Sequence, residues 1–275
     1  MKFDMHCHTK EGSLDGKVPI AEFAARLQEM GFDGMLVSDH DSYNGYRAWK
    51  KIRDAFREKD TPWEQEDAGE KDFLVLKGVE YDTIDAGHIL VIMPEGVKLK
   101  ILELRGLPVL FLIEIVHRHG GILGPAHPCG EKYLSITNTR KHRNCLAVMD
   151  RFDFLEGFNA CESHESNARA MEIAEEYGKP AFGGSDAHRP DCVGLGFTEF
   201  QGEITCESDL IRLVKEKGQE SCVCGGEYYT HTTKSRIGRA NSILVESFWF
   251  YNRVGSMLRH RKRKRELGKM YIRIK

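Results

Sequence analysis

The sequence predicts an α/β fold with parallel strands, and three observations support that prediction. Short apolar runs that suit buried strands alternate with segments whose apolar residues recur at helical spacing. Histidine and acidic residues stand repeatedly at the ends of those apolar runs. The chain has 275 residues, a size at which a (β/α) barrel forms one undivided domain. The strands of such a barrel would bring the polar residues to one rim.

The first half of the chain opens with a predicted strand that carries His6 and His8. A helix is expected to start at Pro19 and to end at Gly31, because proline suits the first turn of a helix and glycine ends one. The next predicted elements are the strand Gly34–Val37, a helix over residues 43–57, a strand from residue 73 to Glu80, and the strand His88–Ile92. Each of these strands meets a histidine or an acidic residue at one end.

The second half of the chain repeats this alternation. An apolar helix over residues 108–119 is ended by Gly120 and Gly121, and a short strand after it leads to His127. The remaining predicted elements are a strand over residues 152–158 that carries Glu156, a helix over residues 166–177 that stops at Gly178, and a strand from residue 181 that leads to Asp186 and His188. Alternating strands and helices predict parallel strand pairing.

Charge is distributed unevenly along the chain. The formal net charge is −2, but residues 231–275 hold thirteen Lys and Arg against two acids, which leaves about −13 for the rest. We therefore expect a barrel domain over residues 1–230 and a basic amphipathic tail over residues 231–275. No secretory signal opens the chain, no apolar stretch reaches about 18 residues, and the eight cysteines form no Cys-x-x-Cys pair. These features predict a cytoplasmic protein with reduced thiols.

Residues His6 and His8 are the first candidates for a metal site. On a strand they project from the same face and can share one cation, although two strand histidines are more often an ordinary buried or surface pair. Further potential ligands stand at later strand ends and strengthen the metal interpretation. The full candidate set is His6, His8, Asp15, His40, Glu80, His88, His127, Asp186 and His188. Six imidazoles and three carboxylates suit Zn, Mn or Fe better than Ca or Mg.

The order of these motifs resembles that of the PHP (polymerase and histidinol phosphatase) family. The motifs are Asp-x-His-x-His, Ser-Asp-His-Asp, Gly-x-Glu, His, Ala-His-Pro and Gly-Ser-Asp-Ala-His, within roughly residues 1–195. The resemblance implies a distorted, TIM-like (β/α)7 barrel with a trinuclear metal site at its strand C-terminal rim. It implies that His6, His8, Glu80 and Asp186 hold a first cation, Glu80, His88 and His127 a second, and Asp15, His40 and His188 a third. Asp15 follows His8 by more residues than in small family members.

The catalytic set that we expect is Asp39, His40, Glu80 and Asp186. For Asp39 and for Asp4, two interpretations stay open: each fixes the tautomer of a metal-binding imidazole, or each caps backbone N–H groups at a strand end. The basic residues Arg140, Lys141 and Arg143 are candidates for binding a substrate phosphate. The alternative is that they form a solvent-exposed surface without that role. The basic tail either packs on the barrel or binds anionic lipid or nucleic acid.

The expected function is metal-dependent hydrolysis of a phosphoester. A hydroxide held by two to three Zn, Mn or Fe ions would attack the phosphorus of a phosphomonoester or nucleotide-type substrate. Trimming of oligonucleotide ends by the same site is an alternative. An amidohydrolase-type enzyme would need a carboxylated bridging lysine, and Lys77 is offset from the rim motif. A non-catalytic module that binds membrane or nucleic acid through its tail is the last alternative.

Overall fold

Nine strands and five α-helices lie in the part of the chain that the computed structural model describes: residues 1–57, 73–131, 134–139, 141–142 and 146–229, with residues 250 and 254. The strands are β1 (Lys2–Cys7), β2 (Gly34–Val37), β3 (Leu74–Asp82), β4 (His88–Ile92), β5 (Ile122–Pro125), β6 (Leu155–Asn159), β7 (Ala181–Gly184), β8 (Gly196–Phe200) and β9 (Cys222–Gly226). The helices are α1 (Ile20–Glu29), α2 (Asn44–Arg57), α3 (Val109–Arg118), α4 (His164–Glu176) and α5 (Glu207–Lys217). Short 3-10 helices span Lys100–Glu103, Ile136–Asn138, Ala147–Arg151, Pro190–Cys192 and Gly218–Ser221.

The strands form a seven-stranded sheet in the order β5-β4-β3-β2-β1-β8-β9 and a separate pair, β6-β7. The predicted α/β class is confirmed, but the prediction that all strands are parallel is wrong. Only the pairs β1–β2, β2–β3 and β6–β7 are parallel, whereas β3–β4, β4–β5, β1–β8 and β8–β9 are antiparallel. Residues 83–87 connect β3 to β4, and so short a connection allows only a hairpin.

The seven-stranded sheet curls around an apolar interior, and β6 and β7 close against its open side. Phe154 and Phe182 stack with ring centroids 4.1 Å apart, and Phe200 packs edge-on against Phe182. These rings share one buried cluster with Phe3 and with Leu36 and Leu90 of the facing strands. Backbone N–H groups of the loop after β7 bond back to β1, with Asp186 N–H donating to the His6 carbonyl at 2.9 Å. The complete (β/α)7 barrel stays a prediction, because the described ladders form two sheets rather than one closed ring.

Most predicted elements are confirmed to within a few residues. Helix α1 follows Pro19, and its buried residues lie on one face that packs against the sheet. Helix α4 begins two residues earlier than predicted because the Ser163 hydroxyl accepts a hydrogen bond from Ser166 N–H and so caps the helix. Strands β8 and β9 and helix α5 were not predicted.

None of the helices in the described ranges is both long enough and apolar enough to cross a lipid bilayer. The prediction of an amphipathic basic tail falls outside the described residues, apart from positions 250 and 254. The division into a barrel over residues 1–230 and a tail over residues 231–275 therefore stays a prediction.

Candidate metal centre

The nine candidate ligands come together at one rim of the curled sheet. His6 lies on β1 and His8 directly after it, and the others follow or end β2, β3, β5 and β7, or occupy the loop after His8. His88 is the first residue of β4, yet it reaches the same rim because β4 runs antiparallel to β3. Gly184 allows this convergence, since a Cβ at that position would collide with the Cβ of His6.

Four of these side chains form what we call the buried cluster: His6, His8, Glu80 and Asp186. His6 Nε2 and His8 Nε2 are 3.0 Å apart. His8 Nε2 lies 3.3 Å from both Glu80 Oε2 and Asp186 Oδ1, and His6 Nε2 lies 3.5 and 3.7 Å from the same two atoms. The ligand atoms of His6, His8 and Asp186 all lie within 4.8 Å of one another, close enough to share one cation, and Glu80 Oε2 borders this group.

Glu80 is shared between this cluster and a second group of imidazoles. Its Oε1 lies 2.9 Å from His88 Nδ1 and 3.1 Å from His127 Nε2, while its Oε2 lies 3.0 Å from His40 Nδ1. The His40 and His88 Nδ1 atoms are buried and close to Glu80, yet neither has hydrogen-bond geometry to a partner among the described residues. Buried ring nitrogens that converge on a carboxylate without hydrogen bonding to it fit ligands of a common metal ion.

Three other candidate ligands form what we call the exposed cluster: Asp15, His40 and His188. Asp15 Oδ2 lies 3.3 Å from His188 Nε2 and 3.7 Å from His40 Nε2. The side chains are 57% (Asp15), 26% (His188) and 20% (His40) exposed, whereas no side chain of the buried cluster exceeds 3%. The structure thus places Asp15 with the two histidines that the resemblance assigns to a third cation. It also places His40 beside Glu80, so that His40 faces two groups.

The electrostatics of the centre favour cations. Burial raises the pKa of Glu80, but the adjacent His88, His40 and His6 outweigh burial and hold that pKa well below its usual range. Burial lowers the pKa of His8 and of His88 to about 4 each, which leaves these imidazoles neutral with a lone pair to offer. Burial also lowers the pKa of His40, but Glu80 and then Asp15 raise it to about 9. A cation bound here would therefore displace protons as it binds.

The family model described as PHP domain matches residues 4–179, more than half of the chain. The chain belongs to the PHP family. A second family model, described as PHP-associated, matches residues 164–217, which contain helices α4 and α5 and strands β7 and β8.

Solved structures that resemble this PHP chain share little of its sequence. One described as a metal-dependent phosphoesterase from Bifidobacterium adolescentis is 16% identical and covers 70% of this chain and 90% of its own, with a TM-score of 0.51. A two-domain protein from Bacteroides vulgatus with a PHP-like metal-dependent phosphoesterase is 15% identical over 82% of this chain and 65% of its own, with a TM-score of 0.58. The lesion-specific endonuclease Q from Pyrococcus furiosus is 20% identical over 82% of this chain and 58% of its own, with a TM-score of 0.56. These likenesses show the PHP fold, and no curated protein sequence matches the chain.

Asp39, expected in the catalytic set, forms no hydrogen bond to an imidazole in the part of the chain that the structure describes. It accepts hydrogen bonds from the N–H groups of Thr9 at 2.6 Å and Gly45 at 3.1 Å, and from the Ser13 hydroxyl at 3.0 Å. Ser13 Oγ lies 3.1 Å from His8 Nδ1, and because its proton goes to Asp39 it accepts the proton of His8. Asp39 therefore caps backbone groups, and it reaches His8 only through Ser13.

Asp4 also caps backbone N–H groups, as the second interpretation of this residue predicts. Its carboxylate accepts hydrogen bonds from the N–H groups of His6 at 3.2 Å and Ser185 at 2.9 Å, and from the Ser185 hydroxyl. Burial raises the pKa of Asp4 to about 6, against the opposing effect of these hydrogen bonds. Asp4 thus ties β1 to the loop that carries Asp186.

The predicted phosphate grip is only partly within the described residues. Arg140 and Arg143 lie outside them, and Lys141 Nζ pairs with Asp85 Oδ2 at 2.5 Å on the surface. This contact favours the surface alternative for Lys141. Lys77 Nζ donates to the Val97 carbonyl at 2.8 Å, away from Glu80, so no lysine bridge is formed there.

Glu156 is the site residue that the sequence interpretation missed. Its Oε1 lies 2.8 Å from His6 Nδ1, and the residue is 2% exposed. Its Oε2 accepts hydrogen bonds from His127 N–H and from Asn159 Nδ2. The available signal was an acidic residue in the middle of a short strand, between Leu155 and Gly157, since a buried carboxylate requires a partner.

Proposed function

We propose that this chain is a metal-dependent phosphoesterase that hydrolyses a phosphomonoester or nucleotide-type substrate at a site holding two to three cations. The position of Glu80 carries the proposal, because its two oxygens face different groups of imidazoles. A carboxylate shared between two cations suits the in-line displacement of a phosphoester oxygen. The mixed nitrogen and oxygen donor set suits Zn, Mn or Fe.

The buried cluster would hold the first cation, Glu80 with His88 and His127 the second, and the exposed cluster the third. When bound, such cations act as Lewis acids on phosphoryl oxygens and lower the pKa of water. The protein contributes orientation, because Glu80 and Asp186 are almost completely buried among the other candidate ligands. His40, partly exposed, lies where a substrate phosphate can reach it.

Cleavage within or at the end of a nucleic acid strand is a second candidate function. Endonuclease Q has been solved with a 27-mer duplex that has an abasic lesion at the active site, and this chain covers 57% of that protein. The basic residues 231–275 would add a sequence-independent attraction to phosphate backbones. Anionic lipid is the other partner that such a tail would suit.

An amidohydrolase-type activity has less support, because Lys77 is tied to backbone carbonyls away from the rim. A purely binding role is also less favoured, because burying His6, His8, Glu80 and Asp186 together is costly unless cations compensate. Both stay open to the test that follows.

The test is hydrolysis of p-nitrophenyl phosphate, bis-p-nitrophenyl phosphate and an end-labelled oligonucleotide by the full chain reconstituted with Zn, Mn or Fe. We expect turnover of at least one of the three substrates that is abolished in Glu80→Gln. The matched control is Lys77→Met, which the phosphoesterase proposal leaves active and an amidohydrolase mechanism would not. Metal-loaded protein that turns over none of these phosphoesters would overturn the proposal.

A further inference from the structure

Glu156 is a buried carboxylate that the family's motifs leave without a role, and it contacts two separate groups of candidate ligands. Its Oε1 faces His6 Nδ1 at 2.8 Å, and its Oε2 accepts from the His127 backbone N–H. His6 belongs to the buried cluster, whereas His127 stands on the other side of Glu80. A single carboxylate therefore spans ligands that would serve two cations.

The first contact determines which nitrogen of His6 faces the metal position. An ionised carboxylate only accepts hydrogen bonds, so His6 donates from Nδ1, and the neutral form of this imidazole then has its lone pair on Nε2. His6 Nε2 is the atom that points to His8, Glu80 and Asp186. Carboxylates that orient metal-binding imidazoles in this way raise the basicity of the ligand.

The second contact holds an unusual backbone turn. His127 has φ of +31°, a left-handed value that is rare for a residue other than glycine. The hydrogen bond from His127 N–H to Glu156 fixes this turn, from which the imidazole reaches Glu80 Oε1 at 3.1 Å. Without that acceptor, the turn would relax and the imidazole would move away from Glu80.

Asn159 extends the connection to a third ligand. Its Nδ2 donates to Glu156 Oε2 at 3.1 Å and to Asp186 Oδ2 at 3.2 Å. The orientation of its amide is set because Asn159 Oδ1 accepts from Cys161 N–H at 3.0 Å. Asn159 and Glu156 together thus contact His6, His127 and Asp186.

We propose that Glu156 is a positioning residue that couples the first and second cation sites by fixing the His6 tautomer and the His127 turn. This inference rests on the metal occupancy that the proposed function requires. It extends that function, because it assigns a role to a residue outside the nine ligands. Asn159 completes the connection to Asp186.

The variant that tests the proposal is Glu156→Gln in the full chain. Glutamine keeps the size of the side chain but presents an NH2 group either to His6 Nδ1 or to His127 N–H, so one of the two contacts becomes a clash of donors. We expect metal affinity to fall by about 10–100-fold, measured by competition with a chromogenic chelator. Loss of metal from the first and second sites together is the signature of coupling.

The matched control is Glu162→Gln, the same change at another buried carboxylate of this rim, which accepts from Glu131 N–H and contacts none of the nine ligands in the described residues. We expect wild-type metal affinity in this control. Unchanged affinity in Glu156→Gln with wild-type folding would overturn the inference.

A second measurement does not depend on the variant folding. Long-range ¹H–¹⁵N spectra of metal-loaded wild-type protein report the protonated ring nitrogen of each histidine. We expect His6 to carry its proton on Nδ1, and a proton on Nε2 would overturn the inference. Wild-type protein that binds metal but hydrolyses no phosphoester would instead overturn the proposed function alone.

Discussion

The buried cluster and the exposed cluster contain similar donors in very different surroundings. His6, His8 and Asp186 are at most 3% exposed, whereas Asp15 alone is 57% exposed. Charges in a buried site must be neutralised by cations or protons, whereas water and salt can screen those of an exposed site. We therefore expect tightly held cations in the buried cluster and an exchangeable cation in the exposed cluster, even though the donor types are similar.

The physical basis of the difference is where the ligands stand on the chain. The candidate ligands of the buried cluster lie on strands or just after them, while Asp15 follows Leu14, which is 81% exposed, on the loop after His8. The His8 ring separates the two clusters, since it stacks on His40 and on His188 with centroids 4.4 and 4.2 Å away. The buried cluster is therefore excluded from solvent, whereas the exposed cluster on the other side of the His8 ring is accessible to it.

The largest effect should follow from Glu80→Gln, because Glu80 lies within 3.5 Å of five imidazoles. We expect phosphoesterase activity to fall by at least about 100-fold, since even hydrogen-bond partners of metal ligands are worth about 10–100-fold. Metal analysis should show that more than one cation is lost. A variant that retains all its metal would contradict the bridging position of Glu80.

A smaller and more selective effect is expected for Asp15→Asn. Removing this exposed carboxylate should weaken one cation by about 10-fold and leave the other cations bound, because Asp15 contacts only His40 and His188 among the nine ligands. Isothermal titration of metal into metal-free protein measures the affinities of the weakly bound and the tightly bound cations separately. Leu14→Ala, at the adjacent exposed position, is the control and should change the affinity of neither kind of cation site. Equal weakening of every cation would show that the clusters are not independent.

The smallest predicted effect is on the free energy of unfolding rather than on metal binding. Asp39→Asn places an NH2 group among the donors of Thr9, Ser13 and Gly45, so the free energy of unfolding should fall by about 1–3 kcal/mol. Urea denaturation of metal-free protein measures this change. Glu22→Gln removes only a surface ion pair with Arg26 and should change stability by less than about 0.5 kcal/mol. Equal stability of the two variants would contradict the capping role of Asp39.

The sequence predicted the rim because strand periodicity and strand-end histidines are local signals. The direction of β4 also follows from a local feature, the short connection from β3, but the general alternation of strands and helices favoured parallel pairing instead. Glu156 escaped notice because its partner His6 is 150 residues away in sequence. The contact of Asp39 with His8 through Ser13 likewise depends on how two loops meet, which no spacing rule encodes.

The central claim is that one rim holds cations of two kinds, and staged removal of metal tests it most directly. Fully loaded protein would be exposed to a chelator, and the metal that remains per chain would be counted by mass spectrometry over time. The account predicts two phases, with one cation per chain leaving early from Asp15, His40 and His188 and the rest retained until the protein is strongly chelated. Loss of all cations in a single phase, or a protein that never binds metal, would contradict it.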